Sequence, residues 1–262
     1  DTLSLIDLDQ AVVVLSVPVQ NSIVGPPQAV ALSPDGALAV VAAPTSYDRA
    51  AGSLVFADVL QVVRLDTEPP RVEVVEIGVH PQSVAFTPDG TRLLATTVSG
   101  EVLLFDVAGG SVALRQRLMV SGGSLSGLGV LADGTGALVS LRAEQGAVII
   151  DLTGPDAVLL PERLATGVSP YGVDTDGAGN WAVIGSVGWV GKGSRNGTSV
   201  ADSDLITLVD TSVRPFRSVD HAAVASVAEG VAISPDGRWV VALCMAGSQL
   251  PAGSAGHSPT GR

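Results

Sequence analysis

Few side chains in this sequence are suited to catalysis. There are three histidines, His80, His221 and His257, and one cysteine, Cys244. His80 stands in His80-Pro-Gln ahead of an alternating apolar run. None of the three has a carboxylate or second histidine at metal-ligand spacing, so the residues offer no ligand set for zinc or haem. Cys244 lies in Val240-Val-Ala-Leu-Cys-Met245 and reads as a small core hydrophobe; a single cysteine also precludes an intrachain disulfide. Asp174-Thr-Asp-Gly-Ala-Gly-Asn180 has the composition of a calcium loop but lacks its terminal glutamate. Gly188-Trp-Val-Gly-Lys-Gly193 lacks the Ser or Thr and the helix that a phosphate loop needs after its lysine. The sequence thus assigns no catalytic residue, no metal site and no cofactor.

What the sequence does carry is a repeat. Gln28-Ala-Val-Ala-Leu-Ser-Pro-Asp-Gly36 returns as Gln82-Ser-Val-Ala-Phe-Thr-Pro-Asp-Gly90 and as Glu229-Gly-Val-Ala-Ile-Ser-Pro-Asp-Gly237, with degenerate copies over 130–136 and 173–179. Each Pro-Asp-Gly is a tight turn, with proline presetting φ and glycine supplying φ > 0. A short alternating strand precedes the turn. A more apolar one follows: 37–43, 92–97, 137–141, 181–184 and 239–245. A third strand ends in Asp7, Asp66, Asp106, Asp151 or Asp210, whose carboxylate starts an Asx-type turn into a fourth, more polar strand such as 71–77. Four short strands per unit, repeated, predict an all-β fold, a β-propeller of four-stranded blades.

The chain resembles the bacterial YVTN-type propeller family, within the lactonase-like and quinoprotein-like propellers. The matching stretches are Thr87-Pro-Asp-Gly90, Leu94-Ala-Thr-Thr97 and Leu103-Leu-Phe-Asp106, with Ser4-Leu-Ile-Asp7, Val148-Ile-Ile-Asp151 and Thr207-Leu-Val-Asp210 repeating the last element. The resemblance spans nearly the whole chain and implies the fold; because its motif residues belong to turns and core, it implies little about activity. Residues 1–262 read as one propeller domain with five blade equivalents. They open on a third-strand segment and close after a second strand. The two ends either share a blade in a five-bladed ring or belong to a seven-bladed ring incomplete at one or both ends, and the second reading is favoured. A start at Asp1 without methionine reads as a processed or truncated product.

The 262 residues are 46% hydrophobic and 15% charged, enough for one large core. A net charge of -12 disfavours nucleic acid, whose phosphates require clustered Lys and Arg. No apolar run approaches the ~20 residues of a membrane span, so no membrane insertion is expected. The resemblance and the acidic charge point to a periplasmic or secreted protein, its signal peptide not part of this sequence.

The blade pattern also locates function. The interval from turn glycine to strand-ending aspartate is about twice as long in units one and four (Gly36 to Asp66, Gly179 to Asp210) as in units two and three (Gly90 to Asp106, Gly136 to Asp151). The extra residues, 44–54, 188–204 and 247–262, all project from one face, the usual place for function on a rigid scaffold. The candidate ligand-binding residues on that face are Tyr47, Trp189 and Arg195, joined from the inter-blade connections by His80. Gln28, Gln82, Tyr171 and Glu229 stand two positions before the innermost-strand valines and are expected to ring the channel mouth. The function expected is non-enzymatic binding of a protein partner or small ligand. The alternative is a lactonase-like hydrolase built on His80 and Glu229, and a haem-like or quinone-binding redox domain is a weaker third reading.

Overall fold

The computed structural model describes residues 2–20, 28–191, 204–254 and 256–261. The chain opens with the antiparallel pair β1 (Thr2–Asp7) and β2 (Val12–Pro18). Blade one contains β3 (Val30–Leu32) and β4 (Leu38–Val41), then an inserted hairpin of β5 (Thr45–Asp48) and β6 (Ser53–Phe56), then β7 (Val59–Arg64) and β8 (Arg71–Glu76). Blade two is β9 (Pro81–Phe86), β10 (Arg92–Thr97), β11 (Glu101–Ala108) and β12 (Ser111–Met119). Blade three is β13 (Leu128–Val130), β14 (Gly136–Ser140), β15 (Ala147–Asp151) and β16 (Val158–Leu164). Blade four is β17 (Pro170–Thr175), β18 (Trp181–Ser186), β19 (Asp204–Asp210) and β20 (Arg217–Val224), with one helical turn, α1 (Gly188–Gly191), after β18. The pair β21 (Ala228–Ile233) and β22 (Val240–Cys244) closes the order. The fold is the all-β propeller that the repeat predicts: among the described residues, four four-stranded blades and two two-stranded pairs, β1–β2 and β21–β22, at its ends.

The turn chemistry holds each blade. In the turns ending at Gly36, Gly90 and Gly237, the glycine N–H donates to the carbonyl three residues back at 2.8 Å, and φ at the glycine is near +70°. Asp35, Asp89 and Asp236 accept the hydroxyl of Ser33, Thr87 and Ser234, which fixes the side chain within the turn. In blade three the turn glycine is Gly134, with φ +71°, and not Gly136, which instead begins β14. The degenerate turn Leu131-Ala-Asp-Gly134 lacks proline and shifts the repeat by two residues relative to the sequence reading.

The strand-ending aspartates split into two uses. Asp7, Asp151 and Asp210 accept the N–H two residues on, as Asx turns. Asp66 and Asp106 pair instead with Arg64 and Arg115. The core lies between blades. One cluster joins blades one and two around Leu60, Leu93, Leu103 and Phe105; the next joins blades two and three around Leu94, Leu104, Leu128 and Ile150; a third joins blades three and four around Leu138, Ile149 and Ile184. Each blade is therefore stabilised on both faces by its neighbours rather than by a core of its own.

Candidate functional site

The second-to-third-strand connections leave one face of the disc, and the long one in blade one is not irregular. It folds as the β5–β6 hairpin, whose turn is fixed by Asp48 accepting N–H donors from Ala50 and Ala51. Tyr47, Leu54, Val55 and Phe56 are all exposed on it. His80 sits at its base and is buried. Its Nδ1 lies 2.9 Å from the Ala57 carbonyl; a carbonyl only accepts, so Nδ1 carries the proton. The ring also meets Phe56 edge-on at 4.9 Å between centroids. His80 thus ties the hairpin to blade two.

Three blades meet at the mouth. Arg142 follows β14 in the short connection of blade three, and its guanidinium lies 4.4 Å over the ring of Tyr171, near the start of β17. Tyr171 is buried, and burial pushes its phenol above the ordinary value while Arg142 pulls it back. Glu229, in β21, is the third member: partial desolvation raises its carboxyl, again opposed by Arg142. One cation therefore acts on an aromatic ring and a carboxyl from the two following blades. Such a group can hold an anion on Arg142 and exchange hydrogen bonds through Glu229. A small cavity of about 200 Å³ adjoins it, lined by Glu229, Leu243, Cys244, Met245, Ser248 and Gly261. Burial raises the Cys244 thiol, so Cys244 lines this cavity as a thiol rather than a thiolate.

The two glutamines differ. Gln82 is half-buried at the start of β9. Gln28 crosses the axis: its amide donates to the Leu128 carbonyl at 2.7 Å and the Val173 carbonyl at 2.9 Å, and its oxygen accepts from the Leu128 N–H at 2.8 Å. Its polar atoms tie the start of blade one to blades three and four. Trp189 is exposed on α1. Gly188, before it, has φ +60°, and a Cβ there would meet Asp204 Oδ1, so only glycine fits. Asp204 in turn accepts the Val227 N–H through Oδ2 at 2.6 Å. Arg195 lies outside the described residues.

The structure thus brings Tyr171 and Glu229 together, puts Tyr47 and Trp189 on exposed loops, and uses His80 and Gln28 to fix backbone. Sequence reasoning missed Arg142. Its signal was position alone: it is the first polar residue after the second strand of a unit with a short connection. Two larger cavities of about 450 Å³ lie on the opposite, turn face, one against Asp35, Asp66 and Asp89 and one against Asp89, Arg92 and Asp133. Asp35 and Asp89 there are already engaged by Ser33 and Thr87, so these grooves follow from blade packing. Among the described residues, no three or more His, Cys, Asp or Glu side chains gather as a metal site. No helix there is long and apolar enough to cross a membrane.

No protein-family model and no curated protein matches the chain. Solved structures do. Hydrazine synthase of Kuenenia stuttgartiensis superposes with a TM-score of 0.63 at 21% identity, covering 87% of this chain and 57% of that one. A protein of unknown function from Desulfotomaculum acetoxidans gives 0.69 at 15% identity, covering 94% and 70%. A candidate 6-phosphogluconolactonase from Bacteroides uniformis gives 0.57 at 10% identity, covering 92% and 83%. At these identities the likeness is one of fold, a β-propeller, and the chain spans little more than half of the hydrazine synthase chain it matches.

Proposed function

We propose that this propeller is a non-enzymatic binding module that holds a small anionic ligand or a protein partner on its long-loop face, in an extracytoplasmic setting. The observation that carries the reading is Arg142 stacked on Tyr171 near Glu229, which itself lines a small cavity, with exposed Tyr47 and Trp189 on the long connections of the same face. Aromatic and arginine side chains are the commonest binding anchors, which supports the same choice. The assignment of the repeats to the YVTN type belongs to this proposal and rests on the Pro-Asp-Gly turns and the strand-ending aspartates. Titration of wild type and Arg142→Ala with small carboxylates and sugar acids, read by calorimetry, tests it. Binding that survives Arg142→Ala unchanged, in a folded protein, contradicts it.

A hydrolytic reading is favoured by the raised carboxyl of Glu229, a property useful to a general acid, and by the fold shared with the candidate lactonase. A lactone hydrolysis screen with and without divalent metal separates the two. Turnover that disappears in Glu229→Gln replaces the binding reading with a hydrolase.

A further inference from the structure

A buried carboxylate joins the long connection of blade four to the site at the mouth. Asp204, the first residue of β19, is 4% exposed. Its Oδ1 lies against Gly188, the first residue of α1, at the place a Cβ would occupy. Gly188 is held there by its own N–H, which donates to the Val168 carbonyl at 3.1 Å. The exposed Trp189 follows directly on α1. The other carboxylate oxygen, Oδ2, accepts the Val227 N–H at 2.6 Å, a short charge-assisted bond.

Val227 is the unusual partner. It is buried and β-branched, yet its backbone is left-handed, with φ +59°. Such a residue is strained by its own Cβ, and the conformation persists only where the surroundings over-determine it. The repeat shows what the strain achieves. Ser169 stands two residues before Tyr171 as Val227 stands two before Glu229, and it too is left-handed, at +53°. The Ser169 carbonyl accepts the Val187 N–H at 3.1 Å, just past β18. The Val227 carbonyl accepts the equivalent Met245 N–H at 3.0 Å, just past β22, and the Glu229 N–H at 3.1 Å.

One residue therefore sets the backbone of both Glu229 and Met245, which line the mouth cavity. The Val227 side chain packs with Tyr171, Val187 and Met245 in the same cluster. Removing the Asp204 carboxylate orphans a buried N–H and takes away one restraint on the left-handed turn. Its charge also reaches the cavity wall, where the Cys244 thiol is raised chiefly by burial and further by Asp204.

We propose that Asp204 is a positioning residue for the mouth site and links it to the blade-four connection. Through Oδ1 it follows where α1 stands, and through Oδ2 it holds Val227 in the turn that presents Glu229 and Met245. A displacement at Gly188 is thereby passed to Glu229 in the next sheet. The ligand at that site is the one of the binding reading above, on which this role rests; the coupling from Gly188 to Glu229 does not need it.

The test follows amide hydrogen exchange residue by residue, by nuclear magnetic resonance, in Asp204→Ala, Asp204→Asn, Gly188→Ala and the double variant Asp204→Ala/Gly188→Ala. Gluconate, as the anionic probe, is titrated into the same preparations, and circular dichroism verifies folding. Asp204→Ala and Gly188→Ala are expected to speed exchange at Val227, Glu229 and Met245 by about tenfold or more, with the amides of β10 unchanged. Asp204→Asn keeps an acceptor for Val227 and should stay close to wild type. The double variant should be no faster than Asp204→Ala, because the new Cβ then has room. Gluconate affinity should fall in the same order. Wild-type exchange at the three amides in Gly188→Ala overturns the proposal, as does Asp204→Asn matching Asp204→Ala, or acceleration that is equal in β10. Unchanged gluconate affinity in an Asp204→Ala whose amides do quicken overturns it too. If Asp204→Ala does not fold, Gly188→Ala against Asp204→Asn decides. The expected exchange pattern in a wild type that binds no gluconate or other small carboxylate upholds the coupling and removes the anion reading instead.

Discussion

Gln28 and Leu128 form a two-way clasp across the propeller axis: the glutamine amide donates to the Leu128 carbonyl at 2.7 Å and accepts from the Leu128 N–H at 2.8 Å. The side chain acts here as a peptide group would, extending the hydrogen bonding of blade one to blade three. A second donated bond reaches the Val173 carbonyl in blade four at 2.9 Å. Residues 100 and 145 positions away in sequence are thus fixed by one side chain.

Gln28→Ala leaves the Leu128 N–H and two carbonyls without these partners. The expected cost is about 1–3 kcal/mol of stability, the usual penalty for an orphaned buried polar group. Gln28→Glu keeps the acceptor but loses both donors, and also fails to restore stability. Denaturant unfolding of the two variants beside wild type checks this; a cost below a few tenths of a kcal/mol for Gln28→Ala contradicts the clasp.

Acid stability follows from the turns. Asp89 is held below the ordinary aspartate range, first by the Thr87 hydroxyl and then by the Thr91 N–H, and Asp35 and Asp236 likewise by Ser33 and Ser234. A carboxyl depressed in the folded state contributes stability above its unfolded value, about 3.9 for aspartate, and that contribution is lost as pH falls through the folded value. Glu229 has the opposite sign. Its raised carboxyl favours the folded state below the unfolded value, and that contribution is lost as pH rises through the folded one. Melting temperature should therefore fall below about pH 4, less steeply in Asp89→Asn. Glu229→Gln should remove the opposite slope just above the ordinary glutamate range and leave the acid limb intact.

Equivalent turn glycines should differ in tolerance. Gly36 and Gly237 have φ of +71° and +68°, so alanine at either pays the left-handed penalty of about 1–2 kcal/mol. A Cβ at Gly36 meets nothing within 4 Å, whereas at Gly237 it lies 2.9 Å from Trp181 Cδ1 and 3.0 Å from Asp176 Oδ2. Gly237→Ala should destabilise more than Gly36→Ala, as the two melting temperatures will show. Equal losses would mean that Trp181 yields freely.

The fold was legible because a propeller repeats its local chemistry. Strand 92–97 read from the sequence is β10 residue for residue, and the other second and third strands agree to within a few residues. The reading slipped where the turn departed from Pro-Asp-Gly, at Gly134, and where an insertion acquired structure of its own, the β5–β6 hairpin. The site was less legible because it is assembled between blades. Tyr171 and Glu229 were marked as candidates by their shared register. Arg142 belongs to no repeat position that marks it, and only folding brings its guanidinium onto Tyr171. His80 and Gln28 carried the right residue types for a site, but their polar groups are spent on backbone.

The last prediction separates the two faces of the disc. Asp35→Ala removes the acceptor for the Ser33 hydroxyl and the Ala37 N–H, so it should lower the melting temperature. It should leave binding by the folded fraction intact, because the turn face is remote from the proposed site. Trp189→Ala should do the reverse, since its ring is exposed and buries little in the core. Arg142→Ala should lower affinity and cost modest stability, about 0.5–2 kcal/mol, through the lost contact with Tyr171. Arg142→Lys keeps the charge but not the planar stacking, so it should recover part of the affinity. His80→Ala belongs with the stability variants, because the ring is buried and anchors the hairpin at Ala57. Melting temperature and calorimetric affinity measured on the same preparations sort the five. If Asp35→Ala loses affinity while staying folded, and Trp189→Ala and Arg142→Ala bind normally, the functional face is the turn face.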